Sequence, residues 1–338
     1  MEKIELISLI LKKNYNPEKF LEIIKNGKKE ILIERDLLKK AEEIEKECKR
    51  RGWWIKTIFD KDFPNEFLEI KNPPLVIFGI GNERFDGFKF AIIGTRKPSH
   101  YGKKIARIFS RELAENGVCI VSGGARGIDT EVHRGCIEAN GRTICILGSG
   151  FKYLYPPENK KLFAKIIEKD GSIITEFAPD TPPYKYNFPF RNRLISALSK
   201  GILVIEASSK SGTFSTVEWG ISQGKEIFAI PGPIDSRESE GTNYLIKEGA
   251  YCTTSPNDIL SFFGIKEREK KIILTEEEKE IVDLLKIPKS IEEIIEITGK
   301  PLSFIYTTIF SLQMKKIVDV LPGNKYVSLT RSFETLEK

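Results

Sequence analysis

The sequence predicts an α/β protein: a Rossmann-like, doubly wound, mostly parallel sheet with a small N-terminal helical domain and a C-terminal winged-helix domain. Two observations carry this. Between residues 87 and 264, short β-branched apolar runs alternate with helix-length segments, and the runs are continuous, as in parallel strands covered on both faces. From residue 276 onward, three helix-like stretches precede two β-prone runs flanking Pro322 and Gly323, which is the plan of a winged helix.

Taking the elements in order, residues 1–86 are rich in Lys, Glu, Ile and Leu, and Arg35 to Arg51 has the apolar spacing of a helix. Pro64, Pro73 and Pro74 then interrupt helix, and the run LVIF predicts a strand before a boundary near Gly87. The second part, 87–264, supplies the strands FKFAIIG, VCIVSGG, TICILGSG, SIITEF, GILVIEA and EIFAIPG. Residues 265–275 read as a charged linker, and 276–330 hold the three helices and the hairpin.

Composition excludes several classes of function. The chain has 338 residues, 40% hydrophobic and 30% charged, which suits a folded protein of two or three domains. No apolar run approaches the roughly 18 residues that span a bilayer, and Glu5 interrupts the apolar opening stretch. The expectation is a cytoplasmic protein with no signal peptide and no membrane contact. The five cysteines form no CxxC pair, which argues against disulfides and zinc, and two histidines, His100 and His133, cannot supply a multi-histidine centre. The net charge of +6 is unevenly placed: residues 87–265 carry 23 basic and 18 acidic side chains, whereas 1–86 carry 18 and 17 and 266–338 carry 13 and 13. A polyanionic partner is therefore expected on the middle segment.

In open α/β sheets, ligands bind beyond the carboxyl ends of the strands. Those ends read Gly94-Thr95-Arg96, Ser122-Gly123-Gly124-Ala125-Arg126-Gly127, Gly148-Ser149-Gly150, Ser208-Ser209-Lys210-Ser211-Gly212-Thr213 and Pro231-Gly232, nearly all of them small, hydroxylated or cationic. Glycines let backbone amides approach an anion, hydroxyls donate to it, and each following helix presents its positive end, so the rim as a whole points to phosphate. The first turn lacks GxGxxG and the chain lacks GxxxxGK[ST], which disfavours dinucleotide and Walker-type binding. The stretch PPYKYNFPFRNR adds Tyr184, Lys185, Tyr186, Phe188, Phe190, Arg191 and Arg193. Rings interleaved with cations suit single-stranded nucleic acid. Period-two spacing would place Phe188 and Phe190 on one side of an extended chain, at least one of them as a core anchor.

The stretches IIGTRKPSHYG, IVSGGARGIDTEVHRG, ILGSGFKYLYPPEN, FPFRNRLISALSKGILVIEA, SGTFSTVEWGISQGKEIFAIPG and EGTNYLIKEGA resemble, in order and spacing, the DNA-processing protein A (Smf) family. The resemblance implies a homodimeric protein that binds single-stranded DNA and loads a RecA-type recombinase onto incoming strands in natural transformation, with no catalysis and no cofactor. It implies that residues 1–86 hold a diverged SAM-like or helix-hairpin-helix domain. It also implies that Arg96 and Arg191 line a positive pocket, Lys185 meets a phosphate, Phe188 stacks on a base, and Ser122 and Gly123 donate to the backbone. Gly94, Thr95, Gly124, Asn192, Arg193, Lys210, Ser211 and Gly212 complete the expected nucleic-acid site, with Asn192 and Arg193 either touching DNA or bracing the loop.

Other residues read as structural. Asp129 and His133, four apart on a helix, suggest a stabilising contact; Tyr155 and Pro156 suggest a turn; Glu206 could be catalytic or could orient Lys210. A competing reading is a LOG-like nucleotide phosphoribohydrolase or a nucleotide-sensing Rossmann protein. That hydrolase family places a glutamate where this chain has Thr216, and Glu218 lies about 200° further round a helix of roughly 3.6 residues per turn. A third reading, a duplex-reading repressor, is weakened because residues 301–313 contain no Lys or Arg.

Overall fold

The computed structural model describes residues 3–12, 16–18, 21, 33–268, 273–315, 317–329 and 334–335. They fall into two compact units, Met1–Glu267 and Arg268–Lys338.

The first unit is built on a nine-stranded sheet: β1 (Trp54–Thr57), β2 (Val76–Gly81), β3 (Lys89–Ile93), β4 (Cys119–Ser122), β5 (Thr143–Ile146), β6 (Ser172–Thr175), β7 (Gly201–Val204), β8 (Glu226–Ala229) and β9 (Tyr251–Cys252). Their spatial order is β1-β2-β6-β5-β4-β3-β7-β8-β9. From β6 through β9 every neighbouring pair is parallel, while β2 joins β6 and β1 joins β2 in antiparallel fashion. Strands β1 and β2 come from the part expected to be a separate helical domain, so the sheet continues across the boundary placed near Gly87. The helix Arg35–Arg51 forms over the span its spacing predicts, closed by Gly52 in the left-handed conformation.

The sheet divides two cores. On β3 every residue is buried: Phe90 and Ile92 pack with Phe109, Leu113 and Val132 of the helices His100–Glu115 and Ile128–Glu138. Ala91 and Ile93 pack on the opposite face with Leu194, Ile195 and Leu198 of the helix Asn187–Leu198. This two-sided burial is the reason the strands read as unbroken apolar runs. Burying each large side chain contributes about 1.5–3 kcal/mol.

Asp129 and His133 make no contact of the expected kind. The Asp129 carboxylate turns back to the loop before its helix, and wholly buried His133 faces Thr143 at 2.9 Å through Nδ1. The Thr143 hydroxyl donates to the Ile120 carbonyl at 2.7 Å, so Nδ1–H is the donor to Thr143 and the ring is neutral. Burial, helped by the charge of Arg191, drives the imidazole down to about 3. Between pH 6.5 and 3 an unfolded chain therefore takes up a proton that the folded one refuses, and stability falls as pH falls through that window. From pH 6.5 to 5 the His133 contribution to unfolding free energy should drop by up to about 1.4 kcal/mol per pH unit. Denaturant titrations should show this slope, and His133→Gln should flatten it; an equal slope in both proteins would contradict the assignment.

In the second unit, the helices Glu276–Leu284, Ile291–Thr298 and Leu302–Met314 precede a hairpin of β11 (Val318–Leu321) and β12 (Lys325–Ser328), the succession that a winged helix requires. Ile281, Leu285, Ile294, Ile305, Ile309 and Leu312 form its core. Thr275 and Ser290 each cap a helix through a reciprocal capping box. Ile273–Leu274, expected within the linker, is instead a short strand, β10, paired with β13 (Glu334–Thr335).

Candidate nucleic-acid interface

The strand order reverses direction at β3, with β4, β5 and β6 laid down on one side and β7, β8 and β9 on the other. A crevice opens at such a switch point because the chain leaves β3 and β7 toward opposite faces of the sheet. Here the crevice is a cleft of about 290 Å³ lined by Gly94, Thr95 and Arg96 after β3, by Ser208, Ser211, Gly212 and Thr213 after β7, and by Arg191 and Asn192 from the helix between.

Arg96 is exposed, and among the described residues no carboxylate pairs with it. Its guanidinium lies over the Phe188 ring, 5.5 Å from the centroid. Phe188 in turn meets Tyr155 at 5.6 Å between centroids, and Arg126 lies 5.5 Å over Tyr155 while donating to its hydroxyl at 3.3 Å. The four side chains make a row of cation, ring, ring and cation along the rim. Arg126 lies on the rim read from the sequence and Tyr155 in an expected turn; 29 positions separate them, and only the fold aligns them. Glu158 holds Arg126 from the far side, at 3.2 Å through one Nη and through Nε as well. These bonds keep the Glu158 carboxyl below the usual carboxylate range.

Several expected ligands have other employment. Ser122 is wholly buried and its hydroxyl donates to the Ile92 carbonyl at 2.8 Å. The amides of Gly123 and Ala125 donate to Asp129 at 3.1 and 3.2 Å, and the Gly124 carbonyl accepts from Asn159 at 3.0 Å. In this structure the loop expected to cradle a phosphate holds the protein's own Asp129 carboxylate through the Gly123 and Ala125 amides, and the Ser122 hydroxyl and Gly124 carbonyl are engaged within the framework. Burial pushes the Asp129 carboxyl up; the charge of Arg191 and the two amides pull it back. Gly124 has φ +64, which L side chains rarely adopt, and a Cβ there would lie 2.5 Å from the Cys145 sulfur.

Arg191 is 3% exposed and donates to the carbonyls of Gly123, at 2.9 Å, and Ile146, binding the ends of β4 and β5 together. Burial pushes its guanidinium below the ordinary arginine value. It thus supplies positive potential to the cleft floor while its hydrogen bonds go largely to the framework. Asn192 accepts from Arg191 at 3.2 Å and donates to Ser215 at 2.7 Å, tying the helix Asn187–Leu198 to the helix Phe214–Ser222. Arg193 is wholly buried, paired with Glu176 at 2.6 and 2.5 Å, bonded to the carbonyls of Asn72 and Phe190, and stacked 3.7 Å from the Phe190 centroid. Of its two readings, the structure places it as a brace.

Phe188 and Phe190 lie on a helix, not on an extended chain, because Pro189 falls in the first turn, where a missing amide costs nothing. Two positions on a helix face roughly opposite ways. Phe188 accordingly joins the rim, and Phe190 covers Arg193. Lys185 and Lys210 are exposed but lie outside the cleft lining. Glu206 neither orients Lys210 nor faces the cleft: its carboxylate accepts from the Ser99 amide at 2.9 Å and hydroxyl at 2.5 Å, bracing the start of the helix His100–Glu115. Asp129 is the acidic residue of the cleft lining, Thr216 stands where the competing hydrolase reading requires a glutamate, and Glu218 lies outside.

Comparison with known proteins agrees with this architecture. Residues 54–264 match the family model of DNA recombination-mediator protein A. The chain is 34% identical to protein Smf of Escherichia coli over 287 residues, 80% of this chain and 76% of the relative. It is 39% identical to DNA processing protein DprA of Bacillus subtilis over 204 residues, covering 60% and 68%. Among solved structures, DNA processing protein A of Streptococcus pneumoniae superposes with a TM-score of 0.67 at 30% identity, over 77% of this chain and 98% of that one. The Helicobacter pylori protein, whose structure concerns its single-stranded DNA binding mode, gives 0.56 at 32% identity over 62% and 95%. With a nine-stranded switch-point sheet, a cationic rim and a family match over most of the chain, this protein belongs to the DNA recombination-mediator protein A family.

Proposed function

We propose that this protein is a recombination mediator that binds single-stranded DNA along the rim of its sheet without cutting it, and passes the strand to a RecA-type recombinase. The observation that carries the reading is the row Arg96–Phe188–Tyr155–Arg126, which sets two rings between two cations beside a cleft of hydroxyls and glycines. Cations neutralise phosphates and rings offer faces to unpaired bases, so the row favours an unpaired strand over a duplex with little sequence preference. Homodimer formation and a cytoplasmic setting belong to the same proposal, and no helix among the described residues is long and apolar enough to cross a membrane.

The non-enzymatic reading rests on the cleft's acid. Asp129 is spent on two amides of its own loop, and the position at which a nucleotide hydrolase of the competing kind would carry its glutamate is Thr216. For residues 276–330 we propose a protein-docking winged helix, since the helix Leu302–Met314 carries no charged side chain with which to meet a duplex.

Titration with oligothymidylate at rising salt tests the proposal. Affinity should fall with a slope of roughly −0.7 per phosphate contacted, and Lys185→Ala should flatten it. After long incubation the oligomer should remain intact and no base should be released. Release of free base from nucleotides, or cleavage of the strand, would transfer the case to the enzyme reading.

A further inference from the structure

We propose that Tyr184 and Tyr186 form a second stacking platform, which receives unpaired nucleobases beyond the cleft; this deepens the single-strand reading above and rests on it. The two rings lie 5.4 Å apart between centroids and 7° from parallel. They are 48% and 70% exposed, so large apolar faces stand open to water immediately before the helix that carries Phe188. The backbone beneath them is fixed: the Tyr184 amide donates to the Pro182 carbonyl at 2.8 Å, and the Asn187 amide donates to the Tyr184 carbonyl at 3.0 Å. Little ordering entropy remains to oppose a ligand that stacks there.

Phe188 contrasts with this pair. One side of its ring packs on Gly148, where an added Cβ would lie 2.8 Å from the ring, and the Arg96 guanidinium lies over the ring itself. A base gains Phe188 only by displacing Arg96, whereas the outer face of Tyr186 is open. Lys185, exposed and between the two tyrosines in sequence, adds a cation to the same stretch. Ring stacking is indifferent to base identity, so the ligand is any unpaired base of a strand that continues past the cleft.

The test is binding of oligothymidylate of about 20 nucleotides to four proteins: wild type, Arg96→Ala, the Tyr184→Ala/Tyr186→Ala pair and the Tyr184→Phe/Tyr186→Phe pair. Stacking on aromatic side chains typically contributes about 1–3 kcal/mol per base, so the alanine pair should bind about 5- to 150-fold more weakly. Its salt slope should be unchanged, and the phenylalanine pair should bind as wild type does. If the alanine pair binds like wild type while Arg96→Ala is weakened, the platform is refuted and the cleft reading stands. A phenylalanine pair as weak as the alanine pair, or an altered slope in the alanine pair, also refutes it. If wild type itself ignores the oligomer, both readings fall. Should the alanine pair fold poorly, Tyr186→Ala alone, at the more exposed ring, serves in its place.

Discussion

Arg193→Ala should lower the stability of the Met1–Glu267 unit by about 3–5 kcal/mol, the cost of leaving one partner of a buried ion pair alone. Arg193 is wholly enclosed and its guanidinium spans Glu176, two backbone carbonyls and the face of Phe190. Truncation leaves the nearly buried Glu176 carboxylate without its counter-charge and opens a void beneath Phe190. For a unit of this size the midpoint of thermal unfolding should fall on the order of 10 °C. A variant that melts like wild type yet no longer binds oligothymidylate would show that Arg193 reaches the strand after all.

Arg96→Ala and Glu158→Gln should move DNA affinity in opposite directions. Arg96 is exposed and has no carboxylate partner among the described residues, so its charge is available to a phosphate. A charge-assisted contact contributes about 1.5–3 kcal/mol, and its removal should weaken binding roughly 10- to 150-fold and flatten the salt slope. Arg126 stands at the other end of the row, already neutralised by Glu158. Glu158→Gln frees that guanidinium, and the protein should bind single strands several-fold more tightly at low salt, with a steeper slope. Fluorescence anisotropy across a salt series reads both effects. Loss of affinity in Glu158→Gln would mean that the carboxylate positions Arg126 for the strand instead of competing with it.

The parallel sheet was legible because β3 to β8 are buried on both faces, which leaves continuous apolar runs in the sequence. The helix Arg35–Arg51 was legible for a related reason, its buried residues Ala41, Ile44 and Cys48 recurring along one face. The pairing of β2 with β6 was not, since it joins residues almost a hundred positions apart and LVIF carries no sign of its partner. At the site, sequence located the loops but not the direction of their donors. Whether the Gly123 amide faces a phosphate or Asp129 depends on how one side chain six residues later turns. The same limit applies to Arg193, whose motif fits exposure and burial equally, and to Tyr155, whose ring joins the rim only when β4 and β5 lie side by side.

A co-crystal with a short oligothymidylate tests the central claim most directly. An intact strand is expected on the carboxyl-end rim, with phosphates at Arg96 and bases against the rings beside it. A strand seated elsewhere, on the helices of Arg268–Lys338 or on the opposite edge of the sheet with Arg96 untouched, would contradict it.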